Sequence, residues 1–130
     1  MRGFVDTNVL VRHLTGDPPA QARRATAWLA GRHQLILVDL VLAELVYVLE
    51  SFYERPREEV AALARSLLAM ESIQPADNLL LLRALELYES ARLDFADAYL
   101  VASAELSGID RIASFDRRID RVASIARVEP

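Results

Sequence analysis

Four acidic residues stand in otherwise apolar surroundings, and their carboxylates are the groups best suited to do chemistry in this chain. Glu44 is the one charged residue in a run of ten, and Asp97 interrupts a second apolar run. We expect the helix around Glu44 to have no polar face and therefore to be largely buried, together with its acid. An uncompensated buried carboxylate is costly, so Glu44 and Asp97 require a metal ion or an arginine.

Two further acids, Asp6 and Asp116, each follow directly on a short apolar strand. Ligands of open α/β sheets bind outside the carboxyl ends of the strands. Oxygen ligands without His or Cys suit hard cations, so we predict one Mg²⁺ or Mn²⁺ site formed by Asp6, Glu44, Asp97 and Asp116. The alternatives are that Asp6 and Asp116 only cap the helices after them, that Glu44 pairs with an arginine, and that Asp97 is the N3 partner of Asp94 in a capping arrangement. Asp94, shortly before Asp97, is predicted to cap a helix rather than to bind metal.

Length and composition indicate one globular domain over residues 1–130. The chain has 53% hydrophobic and 26% charged residues, and its 130 residues can bury a core without disulfides. It has no cysteine, no signal-peptide pattern and no apolar stretch near the ~20 residues of a membrane helix, so we predict a cytoplasmic protein. The net charge of −4 argues against a nucleic-acid partner, but all 15 basic residues are arginine, which suits phosphate contacts. Genome composition explains the arginines equally well.

The elements that must position the acids alternate along the chain. Strands are predicted at residues 3–5, 35–38, 111–115 and 125–128, with an extended segment at 72–75. Helices are predicted at residues 7–14, 18–30, 40–52, 57–70, 78–91 and 94–106, with Trp28 and Leu29 facing inward. This alternation indicates an α/β protein whose parallel sheet is covered by helices on both sides. If the strands at 3–5 and 111–115 run parallel near its centre, Asp6 and Asp116 face one crevice.

Four motifs in series resemble those of the PIN-domain nucleases, and more narrowly those of the VapC toxins of toxin–antitoxin pairs. They are FVDTNVL at residues 4–10, AEL at 43–45, DFADA at 94–98 and SFD at 114–116. The first motif alone would be a weak signal, but the series covers essentially the whole chain in order. The resemblance implies a three-layer α/β/α sandwich with a central, mostly parallel sheet.

The resemblance also implies a Mg²⁺- or Mn²⁺-dependent endoribonuclease that leaves 5′-phosphate and 3′-hydroxyl ends. The four acids named above match the acidic cluster of the family. Thr7 and Asn8 match the polar pair after the first acid, and Ser114 stands where the family commonly has threonine. With Asp94, these residues are expected to surround the ligands rather than to bind the metal.

Partners follow in part from the residues and in part from the resemblance. Arg117, Arg118 and Arg121, just past the last acid, are predicted to contact RNA phosphates, or alternatively to form a solvated basic turn. Relatives of this type usually form homodimers and are silenced by a cognate VapB-like antitoxin that covers the site.

Other functions compete with the nuclease interpretation. A catalytically inactive RNA- or partner-binding module on the same fold would bind without metal-dependent cleavage. A small-molecule phosphatase of the haloacid-dehalogenase type would also begin with a strand ending in Asp6, but that chemistry needs a second aspartate where this chain has Asn8. DNA cleavage is a third possibility, although 130 residues leave little room for a threading arch.

Overall fold

The computed structural model describes all 130 residues, which divide into two compact units, Met1–Asn78 and Leu79–Pro130. We call these the N-terminal and the C-terminal unit. All the strand pairs in both units are parallel, and helices connect the strands. The α/β class with parallel pairing, predicted from the alternation of elements, is therefore confirmed. A single domain over residues 1–130 stays a prediction.

The N-terminal unit is a three-stranded parallel sheet, ordered β1-β2-β3, with four helices. Its elements are β1 (Arg2–Phe4), α1 (Thr7–Thr15), α2 (Pro19–Leu29), β2 (Gln34–Leu37), α3 (Asp39–Ser51), α4 (Arg57–Leu68) and β3 (Ile73–Pro75). The segment predicted as merely extended at 72–75 is thus a strand. Helix α1 ends at Gly16, whose φ of 72° favours glycine and whose N–H donates to the carbonyl of Arg12.

The C-terminal unit contains two helices, a two-stranded parallel sheet and one 3₁₀ helix, Arg117–Arg121. Its elements are α5 (Asn78–Ser90), α6 (Phe95–Leu106), β4 (Arg111–Ala113) and β5 (Ala126–Val128). Strand β4 is shorter than the predicted 111–115, because its ladder ends where Ser114 N–H donates to the Val128 carbonyl. The predicted basic turn of helix is the 3₁₀ helix.

Helix α3 contradicts the expectation that it is buried all round. One side, at the i, i+3, i+4, i+7 spacing of a helix face, is fully buried and is formed by Leu42, Leu45, Val46 and Leu49. The other side is exposed and carries Glu44 between Leu40, 79% exposed, and Tyr47, 67% exposed. Apart from Glu44, the exposed side of α3 is therefore largely apolar as well. Exposed apolar surfaces are typical of sites that contact partners.

Other apolar side chains are also more exposed than predicted. Leu29 is buried as expected, but Trp28 is 39% exposed. Phe4 lies on an edge strand of its sheet and is 70% exposed, and Phe115, two residues after the end of β4, is 71% exposed. No helix is long and apolar enough to span a membrane.

An ion pair inside the C-terminal unit joins its helices. The Arg83 guanidinium on α5 donates to both carboxylate oxygens of Glu105 on α6, at 2.8 and 2.9 Å, and Ser124 Oγ donates to Glu105 at 2.8 Å. Both partners are mostly covered, with 31% and 18% of their side chains exposed. The hydrogen bond from Arg83 is the main cause that lowers the pKa of Glu105 below its usual range.

We predict that Glu105→Gln reduces the free energy of unfolding by about 1 kcal/mol at neutral pH. Because the folded pKa of Glu105 is lowered, its contribution is fully present above the ordinary value of 4.5 and is lost as pH falls through the folded pKa. Urea unfolding should therefore show a gap between wild type and variant that closes in acid. Glu86→Gln is the control, since Glu86 binds the same arginine but is 62% exposed. An equal loss from both variants would contradict the prediction.

Candidate active site

In the N-terminal unit, Asp6 is held by the helix that it caps. Its backbone is extended as β1 ends, and its Oδ1 accepts from the N–H of Thr7 at 2.7 Å. Its Oδ2 accepts from Asn8 Nδ2 at 3.1 Å. The capping alternative is therefore true of Asp6, and the cap also fixes the orientation of an exposed carboxylate. Thr7 and Asn8, predicted to surround the first acid, both bind to it.

Glu44 belongs to the same group of side chains through Thr7. The Thr7 hydroxyl, 5% exposed, donates to Glu44 Oε2 at 2.7 Å and so joins α1 to α3. Glu44 itself is exposed, so the expectation of a buried acid that needs a counter-charge is wrong. The reason is the orientation of α3, which buries the opposite side of the helix. Glu44 also has no arginine partner, so the predicted alternative of an ion pair is not observed.

In the C-terminal unit, Asp116 occupies the equivalent place at the start of the 3₁₀ helix. Its Oδ1 accepts from the N–H of Arg118 at 3.0 Å, and its own N–H donates to Ser114 Oγ at 2.9 Å. The Arg118 guanidinium donates to both carboxylate oxygens, the shortest distance being 2.8 Å. These bonds hold the pKa of Asp116 well below the usual range of an aspartate.

Asp97 lies in the first turn of α6 and shares a hydrogen bond with Asp116. Partial burial raises the pKa of Asp97, and the bond to Asp116 together with the charges of Asp116 and Asp94 raises it further. The pKa values of Asp97 and Asp116 therefore move in opposite directions, because each negative charge disfavours the other and Arg118 stabilises that of Asp116.

Asp94 stands at the N-cap of α6, as predicted, but its side chain makes no capping hydrogen bond. It lies 3.4 Å from the guanidinium of Arg118 instead. Arg121 donates to the carbonyls of Ala91 and Arg92, and Arg117 is exposed. Two of the three arginines predicted to contact RNA are thus engaged within the unit, and their role on RNA stays a prediction.

A divalent metal fits the chemistry of these donors. The groups are carboxylates without nitrogen or sulfur ligands, and Asp97 and Asp116 lie near enough to interact, as oxygen ligands of one hard cation would. Within neither unit, however, do three or more His, Asp or Glu side chains form a group that could hold a metal ion. The metal centre predicted from the sequence therefore stays a prediction.

A groove beside Asn8 carries two arginines, Arg12 and Arg24, that the sequence did not mark as functional. It has a volume of about 410 Å³ and is lined by Asn8, Val9, Arg12, Gln21, Arg24, Ala25 and Trp28. The signal was present in the sequence, since positions 8 and 12 on α1 and 21, 24, 25 and 28 on α2 repeat at helical spacing.

The sequence matches the PIN domain family over residues 3–125, and the chain belongs to this family. PIN domains are generally nucleases and typically depend on metal ions. The six helices and the parallel strands are compatible with the three-layer α/β/α fold predicted above. No curated protein matches the chain.

We predict that Thr7 and Glu44 are energetically coupled. Thr7→Val keeps the shape of the side chain but removes the donor, and its effect should shrink by about 1 kcal/mol when Glu44 is already alanine. A double-mutant cycle by urea unfolding measures this coupling. Additive effects of Thr7→Val and Glu44→Ala would contradict it.

We also predict that Arg118→Gln raises the pKa of Asp116, because the guanidinium is the main cause of its low value. The pKa of Asp97 should rise as well, since the charge of Arg118 opposes the other causes there. A pH titration of the carboxyl carbons by NMR gives both values. Arg117→Gln is the control, and the same shifts in that variant would refute the assignment to Arg118.

Proposed function

We propose that this protein is a Mg²⁺- or Mn²⁺-dependent endoribonuclease in which Asp6, Glu44, Asp97 and Asp116 serve one hydrolytic reaction. The observation that carries the proposal is the proximity of Asp97, in the first turn of α6, to Asp116, the residue that caps the 3₁₀ helix after β4, in a chain of the PIN family. A protein that holds two carboxylates together accepts a destabilising repulsion, which a divalent cation relieves. The family match crosses both units, which supports a single functional domain over residues 1–130.

The residues of the proposed site have different roles in the reaction. Asp6, Glu44, Asp97 and Asp116 would hold the metal, which, when bound, supplies the Lewis acidity that activates water and offsets charge on the phosphodiester. Thr7 orients Glu44 through its hydroxyl. In-line attack of water at phosphorus breaks the bond to the 3′ oxygen, which leaves as a hydroxyl, and the other product retains a 5′-phosphate.

Asn8, Ser114 and Asp94 position the acids and the nearby charge. Asn8 binds the second oxygen of Asp6, and Ser114 accepts from the backbone of Asp116. Asp94 lies beside Arg118. Arg118 neutralises Asp116 while no metal is bound, and with Arg117 and Arg121 we propose it as a contact to RNA phosphates.

We further propose that the nuclease is the toxin of a VapB–VapC-type pair, that it inhibits growth or translation in the cytoplasm, and that it forms a homodimer. The resemblance of the four motifs supports this role. The exposed apolar side of α3 supports a protein partner, since Leu40 and Tyr47 flank Glu44 there and Phe52, just after the helix, is 75% exposed. A partner that covered this side would also cover a residue of the site.

The alternative is an RNA- or partner-binding module without catalysis. It is favoured by the pairing of Arg118 with both oxygens of Asp116, because such an ion pair satisfies the carboxylate without a metal. A phosphatase has less support, since Asn8 binds Asp6 and offers no acid for proton transfer.

Asp97→Asn should abolish metal-dependent cleavage of total cellular RNA, with a fall in rate of at least about 100-fold. The assay compares purified protein, freed of any co-purified partner, with Mg²⁺, with Mn²⁺ and with chelator. Asp110→Asn is the matched control, because Asp110 is an exposed aspartate at the other end of β4. Expression of the wild type but not of Asp97→Asn should arrest growth.

Unchanged cleavage by Asp97→Asn, or cleavage that persists in chelator, would overturn the metal-site assignment. RNA binding without any cleavage under all metal conditions would favour the binding module.

A further inference from the structure

The groove between α1 and α2 has the chemistry of a subsite for single-stranded nucleic acid. We propose that it binds one strand of RNA, with a base stacked on Trp28 and phosphates beside Arg12 and Arg24. This inference rests on the proposed function, because it specifies the form of RNA that reaches the site. All of the groove belongs to the N-terminal unit.

The charges of the groove are those of a phosphate-binding surface. Arg12 donates to the carbonyl of Asn8 at 3.1 Å and to the side chain of Gln21, both neutral acceptors. Arg24 is exposed, and neither arginine is paired with a carboxylate. No acid lines the groove. In a chain with a net charge of −4, two arginines free of counter-ions at one place attract an anion.

Trp28 supplies a surface for a base. The ring of His33 stacks on the indole with centroids 4.1 Å apart and an angle of 24° between the planes. His33 does not line the groove, whereas Trp28 does, and 39% of Trp28 is exposed. The indole is therefore held in place on one side and open on the groove side. Bases of single strands stack on such aromatic rings, while the bases of a duplex already stack on one another.

One residue of the groove contacts an acid of the same unit, Asp6. Asn8 lines the groove and donates through Nδ2 to Asp6. A strand bound along Arg12 and Arg24 would therefore lead directly to the first carboxylate of the proposed reaction. A segment of a protein partner is the alternative occupant. It would explain the exposed indole, but it would not explain two arginines in a groove that no acid lines.

Trp28 is the only tryptophan of the chain, so its fluorescence reports on the groove directly. The test uses the Asp97→Asn protein without divalent metal, so that RNA is bound but not cut. A single-stranded RNA oligonucleotide of mixed sequence should quench the fluorescence, and the same oligonucleotide annealed to its complement should quench it far less. By anisotropy of labelled RNA, Trp28→Ala should bind at least about 5-fold more weakly.

Arg24→Gln tests the charge without altering the core. It should weaken binding and reduce the slope of log affinity against log salt by about 0.7. Arg23→Gln is the matched control, since Arg23 is the preceding residue of α2 and lines a different pocket, with His13 and Thr26. It should bind RNA like the parent protein.

Several outcomes would overturn the proposal: binding without quenching, equal quenching by duplex RNA, equal effects of Arg23→Gln and Arg24→Gln, or quenching by a protein partner but not by RNA. Cleavage by the wild type without quenching would refute the role of the groove but support the proposed nuclease activity. Quenching without cleavage would refute the nuclease activity and support a protein that only binds single-stranded RNA.

Discussion

The geometry of both acid groups depends on one interaction, the hydrogen bond from the first turn of a helix to an aspartate that lies between that helix and the preceding strand. Asp6 accepts from the N–H of Thr7, and Asp116 accepts from that of Arg118. The N–H groups of a first helical turn lack partners and the helix dipole is positive there, so the aspartate stabilises the helix and is itself held in a fixed orientation. Capping therefore does not compete with the functional role predicted for both aspartates, because the cap holds each carboxylate in a fixed orientation.

The charges of the acid groups are paired or lie beside one another, whereas the arginines of the groove have no charged partner. Asp97 and Asp116 lie close enough for their charges to interact, and Arg118 binds both oxygens of Asp116. Arg12 and Arg24 have neutral neighbours or none, so they keep their full attraction for an external anion. The attraction for an external anion at the groove therefore depends on the local distribution of charge and not on the net charge of −4.

The four acids could be recognised in the sequence, but the structure contradicts the burial that was expected for Glu44. The sequence predicts that Asp6 and Asp116 directly follow strands. In the structure they lie two residues after β1 and three residues after β4, each as the N-cap of the next helix. Glu44 was assigned by burial, yet it is exposed and is held by Thr7. Both sides of α3 are largely apolar, so its sequence does not determine which side packs on the core. Which side stays exposed is decided by the packing of the helix in the folded unit.

By itself the sequence determined the alternation of strands and helices, the acids that end the strands and the family, because these depend on spacing along a few turns or one strand. Only the tertiary structure decided which other residues each side chain contacts. The bond from Thr7 to Glu44 joins residues 37 positions apart, and the groove combines Asn8 and Arg12 of one helix with Trp28 of another. Such contacts depend on which faces of the helices pack together, and that choice minimises exposed apolar surface over a whole unit rather than over any local segment.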